Sequence, residues 1–362
     1  MPEAAITKVS ASAFKIPTDG PEADGTFSWS STTMVLAEVT AGDRTGIGYS
    51  YTDASAAQVI VSVLGGEIEG MDAFDIPAIH ETMLRRIRNI GRDGLVATAI
   101  SAIDAAVWDL KGKLLAQPAV SLLGAARDAV PLYGSGGFTS YSIARLREQL
   151  GGWAREGMRW VKMKVGSEPA ADPKRVEAAK DAIGDAELFV DANGAYSRKQ
   201  ALSMAQVFAA NGVTYFEEPV SSDDLAGLRL IRDRAPAGMQ IAAGEYGYNL
   251  FYFRQMLAAG ATDIQQADAT RCLGLTGFMQ VDALCSAFSR PLSAHCAPAL
   301  HLHAALAARS FWKQEWFHDH VRIERMLFDG APLLKEGVIR ADLSRPGLGL
   351  EFRRQDANKY QI

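Results

Sequence analysis

The rhythm of apolar and polar positions changes once along the chain, near residue 125. Before that point Met34–Val39 (MVLAEV) and Gly46–Tyr51 (GIGYSY) read as strands flanking the turn Ala41-Gly42-Asp43-Arg44. Residues 54–125 read as helical, and within Leu95–Leu115 the apolar Ile100, Ile103, Val107 and Leu110 recur at helical spacing among few polar residues. A helix so patterned is expected to be buried on most sides. Pro17–Ser31 is rich in Gly, Asp, Ser and Pro and is expected to be a mobile loop, its Phe27 and Trp29 serving as a lid or as anchors. The sum is a small α+β domain over residues 1–125.

From Val130 a second pattern repeats, a short apolar strand followed by a helix. Strands are expected at Val130–Tyr133, Arg159–Gly166, Leu188–Asp191, Val213–Glu217, Gln240–Ala243, Asp263–Gln266, Pro291–Ala294 and Lys313–Trp316, with no helix after the last. Asp172-Pro173 and the capping box Ser197-x-x-Gln200 mark helix starts between them. Eight such units predict a parallel sheet closed into a barrel over residues 126–337, with 338–362 returning to the N-terminal domain. No dinucleotide fingerprint or Walker loop follows any strand. Gly134–Gly137 is read as a loop on the substrate side of the barrel.

Chemistry in such a barrel sits at the C-terminal strand ends. In RWVKMKVG, Lys162 and Lys164 alternate with Val161, Met163 and Val165, so both ammonium groups share one face of an apolar strand. Like charges in a poorly solvated place are expected to drive one proton off, which makes a base that works near neutral pH. Successive units then end in Asp191 (FVDANGAY), Glu217 (YFEEPV), Glu245 (AAGEYGY), Asp268 (QQADATR), His295 (LSAHCAP) and Glu315 (KQEWF). Carboxylates on adjacent strands repel unless a cation lies among them, so Asp191, Glu217 and Glu245 are the expected ligands of a hard divalent ion, Mg²⁺ before Zn²⁺. Asp268 is expected to hold one ring nitrogen of His295 and raise the basicity of the other.

Composition only narrows this. The chain of 362 residues carries a net charge of −5, which leaves no basic footprint for nucleic acid or an anionic membrane. Three cysteines without CxxC spacing give no disulfide framework, no apolar run is long enough for a bilayer, and no basic-then-apolar leader is visible. A cytoplasmic protein with a small-molecule substrate, assembled as a homo-oligomer, is the expectation.

The ordered set VKMKVG, DANG, EEP, GE, the aspartate after strand six and the histidine after strand seven resembles the enolase superfamily, and within it the mandelate racemase subgroup. The helix ATAISAIDAAVWDLKGK (Ala97–Lys113) and Leu122-Leu123-Gly124 resemble the end of that family's capping domain. The resemblance implies a modified TIM barrel, (β/α)7β, with an N-terminal α+β capping domain completed by the tail. It implies Lys164 as the base taking an α-proton from a carboxylate substrate, Lys162 depressing its pKa, and Asp191, Glu217 and Glu245 binding one Mg²⁺ per subunit. Glu315 would hydrogen-bond the carboxylate oxygen opposite the metal, with Asn193 and Glu218 beside the ion. Pro17–Ser31 and Ser50–Ala54 correspond to capping loops, which puts Phe27, Trp29, Tyr49 and Tyr51 at the substrate. One departure is Leu273, which stands where a glycine is usual and is expected to change the pocket floor. His318 and His320 are read as structural. The expected reaction is dehydration of an acid sugar, with racemisation or epimerisation of a 2-hydroxy acid as the alternative and a silent ligand-binding barrel as the rival from another class.

Overall fold

The computed structural model describes residues 4–362. Strand β1 (Ile6–Ala23) runs straight through the segment expected to be a loop and pairs antiparallel with β2 (Ser28–Ala41), which pairs in turn with β3 (Arg44–Tyr51). Most of Pro17–Ser31 is therefore strand rather than loop. Pro17 pairs with Ser31, and Glu22 and Ala23 pair with Trp29 and Ser28, with Thr18–Pro21 bulged out between them. Only the tip turns. There Asp24 Oδ1 accepts the Thr26 and Phe27 N–H groups at 2.6 and 2.7 Å, an Asx turn that closes the hairpin.

Helices α1 (Ser55–Val59), α2 (Gly66–Ile68), α3 (Ile76–Arg86), α4 (Leu95–Leu115) and α5 (Ala119–Leu123) follow, α1 and α2 being joined by a π-helical stretch, Ile60–Gly65. As its pattern predicts, α4 is buried along most of its length. It lies directly on β3, where Gly46 and Gly48 leave no room for a Cβ beside the backbone of Ala102 and Ala106.

The second half is a closed barrel. Its strands are β4 (Val130–Gly136), β5 (Trp160–Lys164), β6 (Glu187–Asp191), β7 (Val213–Glu217), β8 (Gln240–Ala243), β9 (Ile264–Ala267), β10 (Leu292–Ala294) and β11 (Phe311–Phe317). Between them run α6 (Ile143–Arg155), α7 (Asp172–Ile183), α8 (Arg198–Ala210), α9 (Leu225–Arg234), α10 (Leu250–Ala259), α11 (Gly274–Ala287) and α12 (Pro298–Ala307). Every neighbouring pair is parallel, and β11 pairs with β4 to close the ring. Register sets Lys164 beside Asp191, and Asp191 beside Glu217, at one level of the barrel.

Four details differ from the expected pattern. Strand β11 passes directly into a further helix, α13 (His318–Leu327). Gly134 and Gly136 belong to β4 rather than to a loop, and their missing Cβ atoms make room for Trp153. Ser197 and Gln200 do form the capping box, but Asp172 does not cap its own helix. Its carboxylate accepts the Gly166 N–H at 2.9 Å and the Tyr196 hydroxyl at 2.6 Å, tying the end of β5 to the loop after β6. The tail divides its contacts. Strand β12 (Phe328–Asp329) pairs with β14 (Glu351–Phe352), while β13 (Val338–Ile339) adds to β4 of the barrel. Beyond them Leu348 N–H donates to Asp109 of α4 at 2.7 Å, and Ile362 N–H to Ala13 of β1 at 3.0 Å. No helix among the described residues is long and apolar enough to cross a membrane.

Candidate active site

A cavity of about 600 Å³ lies where the C-terminal ends of the barrel strands meet the N-terminal sheet. Lys164, Asn193, Glu245, Arg271, His295 and Cys296 line it from the barrel side. The sheet contributes Asp24, Phe27, Trp29, Thr32, Tyr51 and Asp53 among others.

Behind that lining the charges interlock. Lys162 is fully buried and donates to both oxygens of Glu217, at 2.8 and 2.7 Å, while its ammonium also lies 2.8 Å from Glu315 Oε1. Lys164 pairs with Asp191 Oδ2. The expectation that the lysine pair sheds a proton does not hold in this charge set, because carboxylates outnumber ammoniums. Burial and Lys162 both oppose the charge on Lys164, yet Asp191, Glu245 and Glu217 carry its pKa well above the ordinary lysine value. Burial likewise opposes the charge on Lys162, and Glu217 and Glu315 overcome it. Asp191, which burial would raise, is held low by the two lysines. Burial and the neighbouring Asp191 push Glu217 up to about 8.

The predicted ligand trio is brought together: oxygens of Asp191, Glu217 and Glu245 all lie within 4.8 Å of one another. The site fits a hard cation on three counts. Its donors are all oxygens; burial and the neighbouring Asp191 both disfavour charge on Glu217, which a cation would relieve; and Glu245 Oε2 is buried without a hydrogen-bond donor. Asn193 Oδ1 and Glu218 Oε1 next to it are buried and unpartnered as well.

Across the cavity, Asp268 Oδ2 lies 2.8 Å from His295 Nδ1, and its Oδ1 accepts the Thr270 N–H at 2.7 Å. His295 Nε2 therefore faces inward, 3.3 Å from Glu245 Oε2 and 3.7 Å from Glu315 Oε2. Burial would lower the pKa of His295, but Glu245 and Glu315 raise it above the usual imidazole value. Asp268, despite burial, is held well below the carboxylate range by its bond to His295. Glu315 accepts from Ser135 at 2.6 Å and from the Cys296 N–H at 2.9 Å.

The aromatic expectations divide. Trp29 lines the cavity, donates its indole N–H to Glu22 Oε2 at 2.8 Å and meets Phe138 edge-on, with Phe27 stacked outside it. Tyr51 also lines it. Tyr49 does not. It shares a face of β3 with Tyr51 but lies two residues further from the strand's end, where it is fully buried on Phe328 with its hydroxyl donating to Glu324 at 2.6 Å. Leu273 is not on the pocket floor either. It takes a left-handed backbone (φ 72°) and packs among the apolar side chains under α4, its N–H donating to Ser101 at 2.9 Å.

Several residues at the site go undetected by sequence pattern. Arg271, three positions after Asp268, donates to the Glu245 carbonyl at 3.0 Å and lies 3.6 Å from Asp268 Oδ2. Its spacing is a usable signal. Cys296 Sγ is 3.2 Å from His295 Nε2, and Ser135 bonds Glu315, neither detectable from pattern alone. His320, expected to be structural, lines the cavity with its ring stacked on Tyr51 at 3.5 Å, whereas His318 pairs with Asp19 at 2.9 Å.

Residues 11–124 match the mandelate racemase / muconate lactonizing enzyme N-terminal domain, and residues 145–357 match the enolase C-terminal domain-like family. The chain belongs to the mandelate racemase subgroup of the enolase superfamily. Among members of that superfamily, it is 33% identical over 321 residues to the 3,6-anhydro-alpha-L-galactonate cycloisomerase of Streptomyces coelicolor, covering 86% of each chain. It is 30% identical to the L-talarate/galactarate dehydratase of Salmonella typhimurium, over 91% of this chain and 83% of that one. A crystal structure of a mutant of that dehydratase, liganded with Mg and L-glucarate, superimposes with a TM-score of 0.90 at 28% identity, covering 99% of this chain and 92% of that one. A mandelate racemase/muconate lactonizing enzyme-like protein from Rubrobacter xylanophilus superimposes with a TM-score of 0.97 at 52% identity, over 99% of this chain and 100% of that one. Enolase-superfamily relatives of this chain are thus acid-sugar dehydratases and cycloisomerases, which supports an enzyme here.

Proposed function

We propose that this chain is a Mg²⁺-dependent acid-sugar dehydratase, which takes the α-proton of a 2-hydroxy carboxylate and expels the β-hydroxyl to give a 2-keto-3-deoxy acid. The observation carrying this is that Lys164 and His295, from opposite sides of the barrel, line one cavity together with Glu245 of the carboxylate trio. Asp191, Glu217 and Glu245 would hold the cation, which when bound offsets the negative charge that grows on the substrate carboxylate. That charge is the obstacle to the reaction, since a proton α to a carboxylate leaves only if the charge is stabilised as it forms.

Residue roles follow from position. Asp191 holds the Lys164 ammonium while burial and Lys162 oppose its charge, so Lys164 would act as the base if the carboxylates that oppose its deprotonation were occupied in holding the ion. Glu315 is assigned the substrate carboxylate oxygen away from Asp191, Glu217 and Glu245. Since, against burial, Lys162, 2.8 Å away, and His295 hold Glu315 well below the usual carboxylate range, that bond needs a proton taken up from solvent as the substrate binds. His295 Nε2, with its raised proton affinity, protonates the departing hydroxyl so that it leaves as water, and the resulting enol tautomerises to the keto acid. The N-terminal sheet with α1–α5 and the tail serves as the cap over this chemistry.

A dyad oriented by Asp268 can instead return a proton to the opposite face of the substrate, which would make the chain a racemase or epimerase. Exchange of the α-proton in D₂O across aldonates, aldarates and simple 2-hydroxy acids tests the shared step. Lys164→Ala should abolish exchange. A semicarbazide-reactive 2-keto acid marks dehydration, inverted acid without it marks the alternative, and no exchange with any acid refutes both.

A further inference from the structure

The two sides of the cavity differ in the charge they present. Lys164 and Arg271 are both on the barrel side, and both are committed: Lys164 to Asp191, and Arg271 to the Glu245 carbonyl and, at 3.6 Å, to Asp268. Among the described residues that line the cavity from the N-terminal sheet, none carries a positive charge. The charged ones there are Asp24 and Asp53. Each spends Oδ1 on its own turn, Asp24 on Thr26 and Phe27, and Asp53 on Ser55 at 2.9 Å. Behind the lining, Arg322 is bound to Asp319 and to the Pro17 carbonyl at 2.6 Å.

What this side offers instead is neutral hydrogen bonding. Ser31, Thr32, Thr33 and Thr52 line the cavity; the Thr32 hydroxyl is given to Asp319 and the Thr52 hydroxyl accepts from Thr98 at 3.0 Å. The Tyr51 hydroxyl is buried and has no partner among the described residues, so it awaits one from a ligand. The ring on which Tyr51 stacks is held neutral: burial and His295 push the pKa of His320 down to about 3. Its Nδ1 accepts the Ala297 N–H at 3.3 Å, which places the ring proton on Nε2.

We infer that the substrate is a monocarboxylic polyol, an aldonate, whose single carboxylate enters the barrel end and whose hydroxylated tail lies under the N-terminal hairpin. A diacid would bring a second carboxylate against Asp24 and Asp53 with no cation to meet it, an uncompensated charge in a partly enclosed site. A terminal hydroxymethyl group instead finds both donors and acceptors. The inference rests on the proposed function, since it takes the barrel end as the carboxylate end.

Matched pairs of aldonate and aldarate sharing the same configuration, gluconate with glucarate and galactonate with galactarate, test it on the Mg²⁺-loaded enzyme. For at least one pair the aldonate should exchange its α-proton with kcat/KM at least tenfold above its partner. Calorimetry with Lys164→Ala, which binds without turning over, should show the same order of affinity. Asp53→Arg, at an exposed position, should narrow or reverse the ratio by supplying the missing cation. An aldarate that matches or exceeds every aldonate overturns the inference while leaving the dehydratase reading intact. Failure of all acids to exchange, with none bound by Lys164→Ala, removes the reading itself and the inference with it.

Discussion

Asp268 holds the Nδ1 edge of His295 at 2.8 Å, and this one contact turns Nε2 toward Glu245 and Glu315. The carboxylate fixes both the ring's orientation and its tautomer. Asp268→Asn keeps the size of the side chain but can present an amide N–H to the ring, stabilising the opposite tautomer. Turnover should fall by about two to four orders of magnitude, as for other histidines deprived of an orienting carboxylate. Exchange of the α-proton, which depends on Lys164, should fall far less. Equal loss of both would show that His295 is not the second catalytic group.

The carboxylate trio predicts a dependence on divalent cation. Dialysis against a chelator should abolish exchange, and Mg²⁺ should restore it. Glu217→Gln should weaken Mg²⁺ binding measured by calorimetry by more than about 100-fold, while Glu218→Gln, beside the trio, should cost about 10- to 100-fold at most. A chelated enzyme with full activity would contradict the arrangement.

Gly25, at the hairpin tip, sits against the loop after β6. A Cβ there would lie 2.7 Å from the Val165 carbonyl and 2.9 Å from the Ala195 Cβ. Gly25→Ala should lift the tip off that loop. KM should rise with little change in melting temperature, because the clash is mainly with the Ala192 and Val165 carbonyls at the mouth of the barrel and the hairpin tip can lift away from them. Gly48→Ala makes a useful contrast: it forces β3 away from α4, should cost about 1–3 kcal/mol by overpacking, and should lower Tm measurably.

At the opposite end of the barrel Lys313 is buried with its ammonium 3.2 Å from the ring centre of Trp312 and 3.9 Å from that of Trp160. Burial lowers its pKa to about 7, Glu187 pulling the other way. In the unfolded chain a lysine titrates at about 10.4, so between about 7 and 10.4 the unfolded state binds more protons and stability rises with pH. The stabilisation is complete above the unfolded value and is lost as pH falls through about 7. Lys313→Met should therefore gain most in Tm over the parent at about pH 6–7, with the gain shrinking by about pH 10. A pH-independent difference would mean that attraction of the two indole faces for the ammonium offsets burial.

Most of the site is legible in the sequence because a barrel repeats. Each strand-then-helix unit puts the C-terminal end of its strand at the same mouth, so Asp191, Glu217, Glu245, Asp268, His295 and Glu315, at or near those ends, can be collected from spacing alone. Three things are not legible. Proton affinities depend on the sum of charges: two lysines suggest a lowered pKa, but the acids from neighbouring strands reverse the direction at Lys164. Strand formation in Pro17–Ala23 is decided by a partner strand rather than by local composition, so Gly and Pro there mislead. And Tyr49 and Tyr51, two apart on one strand, share a face by period, yet only depth along β3 decides which reaches the cavity and which is sealed against Glu324.

The hairpin of β1 and β2 brings Asp24, Phe27 and Trp29 over a reaction centre built wholly from another part of the chain. Under the proposed function, selection of the acid and cleavage of its bonds are thereby written in separate stretches of the gene. On that reading, drift within a dozen codons near the start would change which acid is taken while the lysines, the histidine and their acids stay untouched.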